Sequence, residues 1–171
     1  MFGLALGLLI LRVVLGLTVA AHGAQKLFGW FGGTGLDGFS KVMEKLFIRP
    51  ARLFALLAGL AEFVGGLLVA LGFLNPAGPL MVAGAMAVAI VTVHLSKGFF
   101  NTTGGYEFPL LIAGGAVALA LTGPGLYSLD GIIRLSLPEP ITWIALAIVS
   151  AAGVVAALAS RRAGRRRLEL G

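Results

Sequence analysis

The chain has 171 residues, of which 58% are hydrophobic and 12% charged, and its mean hydropathy is +1.01. This composition excludes a soluble domain of that size, and the continuous apolar runs indicate helices rather than the alternating strands of a barrel. Cysteine is absent, which excludes disulfides, thiolate metal sites and a redox-active dithiol. The net charge is +6, but the basic residues lie at the ends of apolar segments, so we interpret them as topology signals and not as a nucleic-acid-binding surface.

Five apolar segments predict transmembrane helices, because each comes close to the ~20 residues that a helical span requires. The segments cover residues 3–28, 52–74, 77–97, 106–122 and 141–159. The fold class is therefore an all-α polytopic membrane protein. Residues 1–130 are expected to form a four-helix membrane domain, residues 131–159 to add a fifth transmembrane helix, and residues 160–171 to form a basic tail.

A further, amphipathic helix is predicted between the first two spans, over residues 36–47. Apolar residues recur there at helical spacing, with Lys41, Glu44 and Lys45 between them. We expect this helix to lie on the membrane surface, with its lysines toward anionic lipid.

The loop charges predict the orientation of the chain. With five spans, the basic residues on one side are Lys26, Lys41, Lys45, Arg49, Arg52, Lys97, Arg161, Arg162, Arg165, Arg166 and Arg167. Arg134 lies alone on the opposite side. The positive-inside rule therefore predicts an N-terminus outside and a C-terminus in the cytoplasm.

Two charged residues lie deep inside the apolar segments. Arg12 follows about nine residues of the first span and Glu62 about ten of the second, and a lone charge there costs at least ~2.5–3.5 kcal/mol. Counting depth along two antiparallel helices predicts that Arg12 and Glu62 form a buried ion pair near the middle of the membrane. The alternative to a functional role is that the pair only fixes the register of the two helices.

A second polar group is predicted nearer to the basic side. His22 and Lys26 are four residues apart, hence on one helix face, while His94 ends the third span and Glu107 begins the fourth. These four residues are the candidates for a ligand or proton pocket. The predicted pocket aromatics are Phe28, Trp30, Phe31, Phe99 and Phe100. Each residue also has a structural interpretation: backbone-bonded histidines, a lysine reaching the interface, and a carboxylate at a helix start.

Several motifs resemble those of the DoxX family of small bacterial and archaeal membrane proteins. The matching stretches are AHGAQKLFGWFGG (21–33), AGLAEFVGGLLVALG (58–72), IVTVHLSKGFF (90–100), GGYEFPLL (104–111) and GPGLYSLD (123–130). The resemblance implies a four-helix membrane fold and a link to redox systems, since related proteins are subunits of a quinol oxidase and of a thiosulfate:quinone oxidoreductase. The fifth span and the Arg-rich tail depart from the family's common plan.

The leading hypothesis is an accessory subunit of a membrane redox or respiratory system that handles quinone or protons in the polar pocket. Its expected surroundings are the lipid bilayer of a prokaryotic inner (plasma) membrane and other membrane or peripheral redox proteins. If the chain takes part in catalysis, it does so as an oxidoreductase-associated subunit with a partner. The alternatives are a structural or assembly factor and a permeation module for small solutes or protons. A haem held by His22 and His94 is the least favoured, and no metal site is predicted.

Overall fold

The computed structural model describes residues 2–169, with side chains through residue 166, and it contains helices and turns only. The helices are α1 Phe2–Phe28, α2 Gly35–Lys45, α3 Ala51–Leu71, α4 Ala77–Ala89, α5 Glu107–Thr122, α6 Leu129–Ile133 and α7 Ile141–Glu169. Helix α4 continues through a π-helical turn, Ile90–His94, and a 3-10 turn, Leu95–Lys97. Two other 3-10 turns are Trp30–Gly32 and Asn101–Thr103. The predicted all-α class is confirmed.

Helices α1, α3, α4 and α5 surround one apolar core. Its buried members are Val19, Val69, Val82, Met86, Ile112, Ala116 and Leu119. Successive long helices run in opposite directions, so one end of the bundle holds α2 and the other holds α6. We name these the α2 end and the α6 end. Helix α7 lies outside the bundle, parallel to α4, where the Ser150 hydroxyl donates to the Leu80 carbonyl (2.9 Å).

The closest helix contact in the bundle is the antiparallel crossing of α1 and α3. It is built from small residues, so the two backbones touch directly. A Cβ added at Gly66 would lie 2.6 Å from the Gly16 carbonyl oxygen, and a Cβ added at Gly16 would lie 2.6 Å from the Gly66 carbonyl oxygen. The crossing therefore fixes the register of the two helices along their length.

Helix α2 forms where the amphipathic pattern predicts it. Its apolar side packs on the start of α3, with Met43 buried beside Ala51 and Ala55, and Phe39 against the same cluster. That side is thus covered by protein. The predicted position of α2 on the membrane surface, with its lysines toward anionic lipid, stays a prediction. Because α1 ends before it reaches the start of α3, α2 fills the remaining space at the α2 end.

Four helical stretches are long and apolar enough to cross a membrane by their length and composition. They are Phe2–Phe28, Ala51–Leu71, Ala77–Lys97 and Ile141–Arg166. Helix α5 has only 16 residues, fewer than the ~20 that a straight span requires. The count of five spans therefore stays a prediction. The last stretch continues without a break into the predicted tail, as far as Glu169; residues 170–171 lie outside the described part.

Candidate functional site

A buried ion pair joins α1 and α3. The Lys26 ammonium Nζ binds the Glu62 carboxylate oxygen Oε1, and the exposed fractions of the two side chains are 27% and 3%. Glu62 lies on the same face of α3 as Gly59 and Gly66, so the close crossing that buries those glycines also buries the carboxylate. Lys26 lies in the last turn of α1, and its side chain reaches the Glu62 carboxylate from that helix.

The predicted pair between Arg12 and Glu62 does not form. Gly16 lies against Ala70 and Gly23 against Phe63, so Glu62 is level with the last turn of α1 and Arg12 is level with the chain beyond α3. This register separates Arg12 from Glu62 by about twelve residues, or about 18 Å at a rise of 1.5 Å per residue. The depth count failed because it assumed that the two spans are aligned end to end.

Glu62 and Lys26 each keep hydrogen-bonding capacity that the ion pair itself does not use. The second carboxylate oxygen of Glu62, Oε2, is buried and has no hydrogen-bond partner among the described residues. The Lys26 ammonium is partly exposed and lies 5.0 Å from the centre of the Phe39 ring, a cation–π distance. An unpartnered carboxylate oxygen beside an ammonium group provides one free acceptor and one donor at the same place.

His22 lies one helical turn before Lys26 and completes this group. Side chains four residues apart on a helix have Cβ atoms about 5–6 Å apart. The His22 ring is exposed and makes an edge contact with the ring of Phe108 (5.8 Å between centroids), which places it between α1 and α5. We call His22, Lys26 and Glu62 the α1–α3 polar group.

His94 and Glu107 make different contacts from those predicted. His94 Nδ1 is 2.7 Å from the Gly104 carbonyl oxygen, and the Glu107 carboxylate accepts a hydrogen bond from the Asn101 amide (2.9 Å). Both side chains thus hold the loop of residues 98–106 against the bundle. Among the described residues, neither forms a hydrogen bond or ion pair with His22 or Lys26. The His22 ring instead contacts the ring of Phe108, the residue that follows Glu107.

The five predicted pocket aromatics separate into two surface clusters. Phe28 contacts Trp30 (5.0 Å between ring centroids) and Phe63 (5.2 Å), while Phe99 contacts Phe100 (5.3 Å). Phe31 contacts Trp30 at 6.4 Å. All five predicted aromatics are exposed to at least 45%. The first cluster lies at the level of Lys26 and Glu62 along the bundle, because Phe28 is two residues after Lys26 and Phe63 is the residue after Glu62. Residues one or two positions apart on a helix point to different faces, so these rings lie on the face next to the ion pair.

A second polar group at the α6 end was not assigned any role from the sequence. The Asp130 carboxylate accepts the Leu74 and Asn75 amides (2.9 Å each), and the Ser128 hydroxyl accepts the Gly131 amide (3.0 Å) at the start of α6. The signal was present in GPGLYSLD (123–130), where a serine followed by an acidic residue is typical of a helix start. The bonds to Asp130 tie α6 to the loop between α3 and α4, and the Ser128 bond caps the start of α6.

Arg12 belongs to this α6-end group. Its guanidinium donates to the Ala70 carbonyl (2.7 Å) and to the Tyr127 carbonyl. Gly72 makes room for it, because a Cβ there would lie 2.7 Å from Arg12 Nη1 and 2.5 Å from the Ser128 Cβ. Arg12 therefore bridges the last turn of α3 and the α5–α6 loop, and its contacts are structural.

Taken together, the bundle and its buried polar groups define a polytopic α-helical membrane protein. The family model DoxX matches residues 7–95, and the chain belongs to the DoxX family. The match includes Arg12, His22, Lys26, Glu62 and His94, whereas Glu107 lies beyond it. The chain is also similar to the inner membrane protein YqjF of Escherichia coli (strain K12), with 34% identity over 108 residues, which cover 62% of this chain and 80% of that protein. No solved structure was found to match the chain.

Proposed function

We propose that this protein is a quinone-handling accessory subunit of a redox system in the inner membrane. The observation that carries the proposal is the buried Glu62 oxygen without a partner, next to the partly exposed ammonium of Lys26. Titratable groups at membrane depth are costly and mark functional sites by default. The family resemblance to subunits of quinone-linked enzymes supports the same assignment, and the inner membrane name of YqjF supports the location.

The α1–α3 polar group suits the two oxygens and the ring of a quinone. The Lys26 ammonium donates to a quinone carbonyl, and Glu62 Oε2 accepts a hydrogen bond from the hydroxyl of the quinol form. His22, one turn away, exchanges protons with the exposed surface. The exposed rings of Phe28 and Trp30, at the same level of the bundle on the adjoining face, provide an apolar surface against which the ring packs. Reduction to quinol takes two electrons and two protons: the electrons come from a partner redox protein, and the protons come from the exposed surface by way of His22.

His94 and Glu107 have a supporting role in this proposal. They hold the 98–106 loop and thereby fix the start of α5, where Phe108 contacts His22. In this proposal the residues that contact the ligand are a smaller set than the predicted pocket: His22, Lys26 and Glu62.

The proposal can be tested with Trp30 as the reporter. The chain has two tryptophans, Trp30 and Trp143, so the Trp143→Phe variant leaves one fluorophore in the cluster beside Lys26. We expect decylubiquinone to quench Trp30 saturably in nanodiscs. Neutralising the pair with Lys26→Gln and Glu62→Gln should raise the half-saturating concentration about tenfold, because hydrogen bonds to charged groups contribute roughly 1.5–3 kcal/mol.

The matched control is Glu44→Gln, which removes an exposed carboxylate on α2. It should leave the quenching curve unchanged. If the doubly neutralised variant folds, by circular dichroism, and still binds decylubiquinone as the unaltered protein does, the proposal is wrong.

A structural or assembly role is the second candidate. It is favoured by the α6-end group and by His94 and Glu107, whose side-chain hydrogen bonds in the described structure all go to backbone groups of the chain itself. This alternative predicts that variants at Lys26 and Glu62 change thermal stability but leave quinone binding and the function of the complex unchanged.

A further inference from the structure

The four arginines of α7 whose side chains are described divide into two pairs with different surroundings. Arg161 Nη1 donates to the Val91 carbonyl (3.0 Å), and the Arg165 guanidinium lies 5.7 Å from the centre of the Phe47 ring. This pair faces the bundle. Arg162 and Arg166, about 100° further around the helix, are exposed and make no hydrogen bond to a described residue.

Arg162 and Arg166 line a groove that continues toward the apolar part of the same helix. The groove has a volume of about 500 Å³, and its lining residues are Val155, Leu158, Ala159, Arg162, Ala163 and Arg166. Two of the lining residues, Ala159 and Ala163, have short side chains between larger neighbours. The groove is therefore apolar along one part and cationic along the other.

The position of the arginines along α7 matches the surface of a bilayer. Arg162 follows Ile141, the first residue of the helix, by about 32 Å at a rise of 1.5 Å per residue. The hydrocarbon core of a bilayer is about 30 Å thick. If α7 spans the membrane, Val155 and Leu158 lie at the depth of acyl chains and Arg162 lies at the depth of phosphate groups.

We propose that this groove binds an anionic phospholipid. The phosphate accepts hydrogen bonds from Arg162 and Arg166, while an acyl chain packs along Val155 and Leu158. The headgroup is anionic because Arg162 and Arg166 place two positive charges in the groove, so a headgroup with its own ammonium is disfavoured. The joined apolar and basic lining favours a lipid over free phosphate, which has nothing to place on the apolar part.

Native mass spectrometry of the detergent-purified protein tests this site. The probes are dioleoyl phosphatidylglycerol and dioleoyl phosphatidylcholine, which share acyl chains and differ in net charge. We expect the protein to bind the phosphatidylglycerol in preference. The double variant R162Q/R166Q should weaken that binding about tenfold or more without lowering the melting temperature, since both side chains are exposed.

The matched control is R161Q/R165Q, which removes the same charge from the same helix but on the face toward the bundle. It should keep most of the lipid binding and lower the melting temperature. Equal weakening by the two double variants would indicate diffuse charge and overturn the site. Equal binding of both lipids would overturn the site as well. So would full competition by soluble glycerol 3-phosphate, because it would show that the acyl chain contributes nothing.

Discussion

At the scale of single residues, the main feature is a carboxylate that is almost completely buried in an apolar bundle. Glu62 is held by Lys26, and one of its oxygens is left without a partner in the described structure. A buried ion pair gives little net stability, because the desolvation of both charges offsets their attraction. The pair therefore stands as a candidate for function more than for stability. Arg12, by contrast, donates through both terminal nitrogens to backbone carbonyls and connects two segments, although its Nε has no partner in the described structure.

The pairing of Lys26 with Glu62 predicts a non-additive double-mutant cycle. Lys26→Met or Glu62→Leu alone should destabilise the protein by roughly 3–5 kcal/mol, because each leaves an uncompensated buried charge. The double variant should recover much of that loss in thermal or denaturant unfolding in detergent. The control cycle pairs Arg12→Leu with Glu62→Leu, which should be additive because the two residues do not meet. Additive losses for Lys26 and Glu62 would show that the pair contributes no coupling.

At the scale of helices, small residues decide which elements meet and at what level. Gly16 and Gly66 let α1 and α3 touch through their backbones, and that contact sets the level of every other side chain on the two helices. In the described residues, α1 and α5 share fewer contacts, chiefly Leu15 against Gly115 and His22 against Phe108. The polar group at His22 therefore lies beside the less tightly packed seam of the bundle.

A glycine at the close helix crossing and a glycine with open space around it should respond differently to replacement by alanine. Gly66→Ala should lower the melting temperature, since the new methyl group would meet the Gly16 carbonyl oxygen at 2.6 Å. Overpacking of this kind costs about 1–3 kcal/mol. The matched control is Gly114→Ala in α5, where a Cβ meets nothing within 4 Å. It should be neutral or should stabilise the helix by about 0.5–1 kcal/mol. Thermal unfolding in one detergent compares the two, and equal effects would contradict the close crossing.

At the scale of the whole molecule, polar groups and charge are distributed unevenly between the two ends. The α2 end carries the lysines of α2, Lys97 and the arginines of α7, while Arg134 lies at the α6 end. This distribution matches the charge bias on which the orientation was predicted. It also depends on α5, whose 16 residues must complete a span for the predicted topology to hold.

The orientation can be measured by cysteine labelling, because the chain has no natural cysteine. Ser136→Cys lies on an exposed stretch at the α6 end, and Thr102→Cys lies on an exposed loop at the α2 end. We expect a membrane-impermeant maleimide to label position 136 in intact cells and position 102 only after lysis, because the positive-inside rule places the α2 end in the cytoplasm. Ser128, the other serine near this end, is fully buried and so is not a suitable labelling position. The reverse labelling pattern would contradict the topology.

The sequence by itself determined the class, the helices and the family. Hydropathy and helical spacing are local properties, so the five apolar segments and the amphipathic stretch 36–47 correspond closely to the helices of the structure. The motifs around His22, Glu62 and His94 identified the DoxX family, which the family match confirms. The buried charges were also recognisable from the sequence, because a charged residue inside an apolar run stands out without any knowledge of its partners.

The tertiary structure alone decided which of those charges meet. Register between helices depends on where two backbones touch, and for α1 and α3 that is at Gly16 and Gly66, which counting from the segment ends does not reveal. Because of this register, Glu62 binds Lys26, and Arg12 instead donates to the Tyr127 carbonyl in the α5–α6 loop. The bonds from Leu74 and Asn75 to Asp130, and the separation of the α7 arginines into two faces, likewise rest on contacts between distant parts of the chain. Such contacts are set by packing in three dimensions, and no local pattern records them.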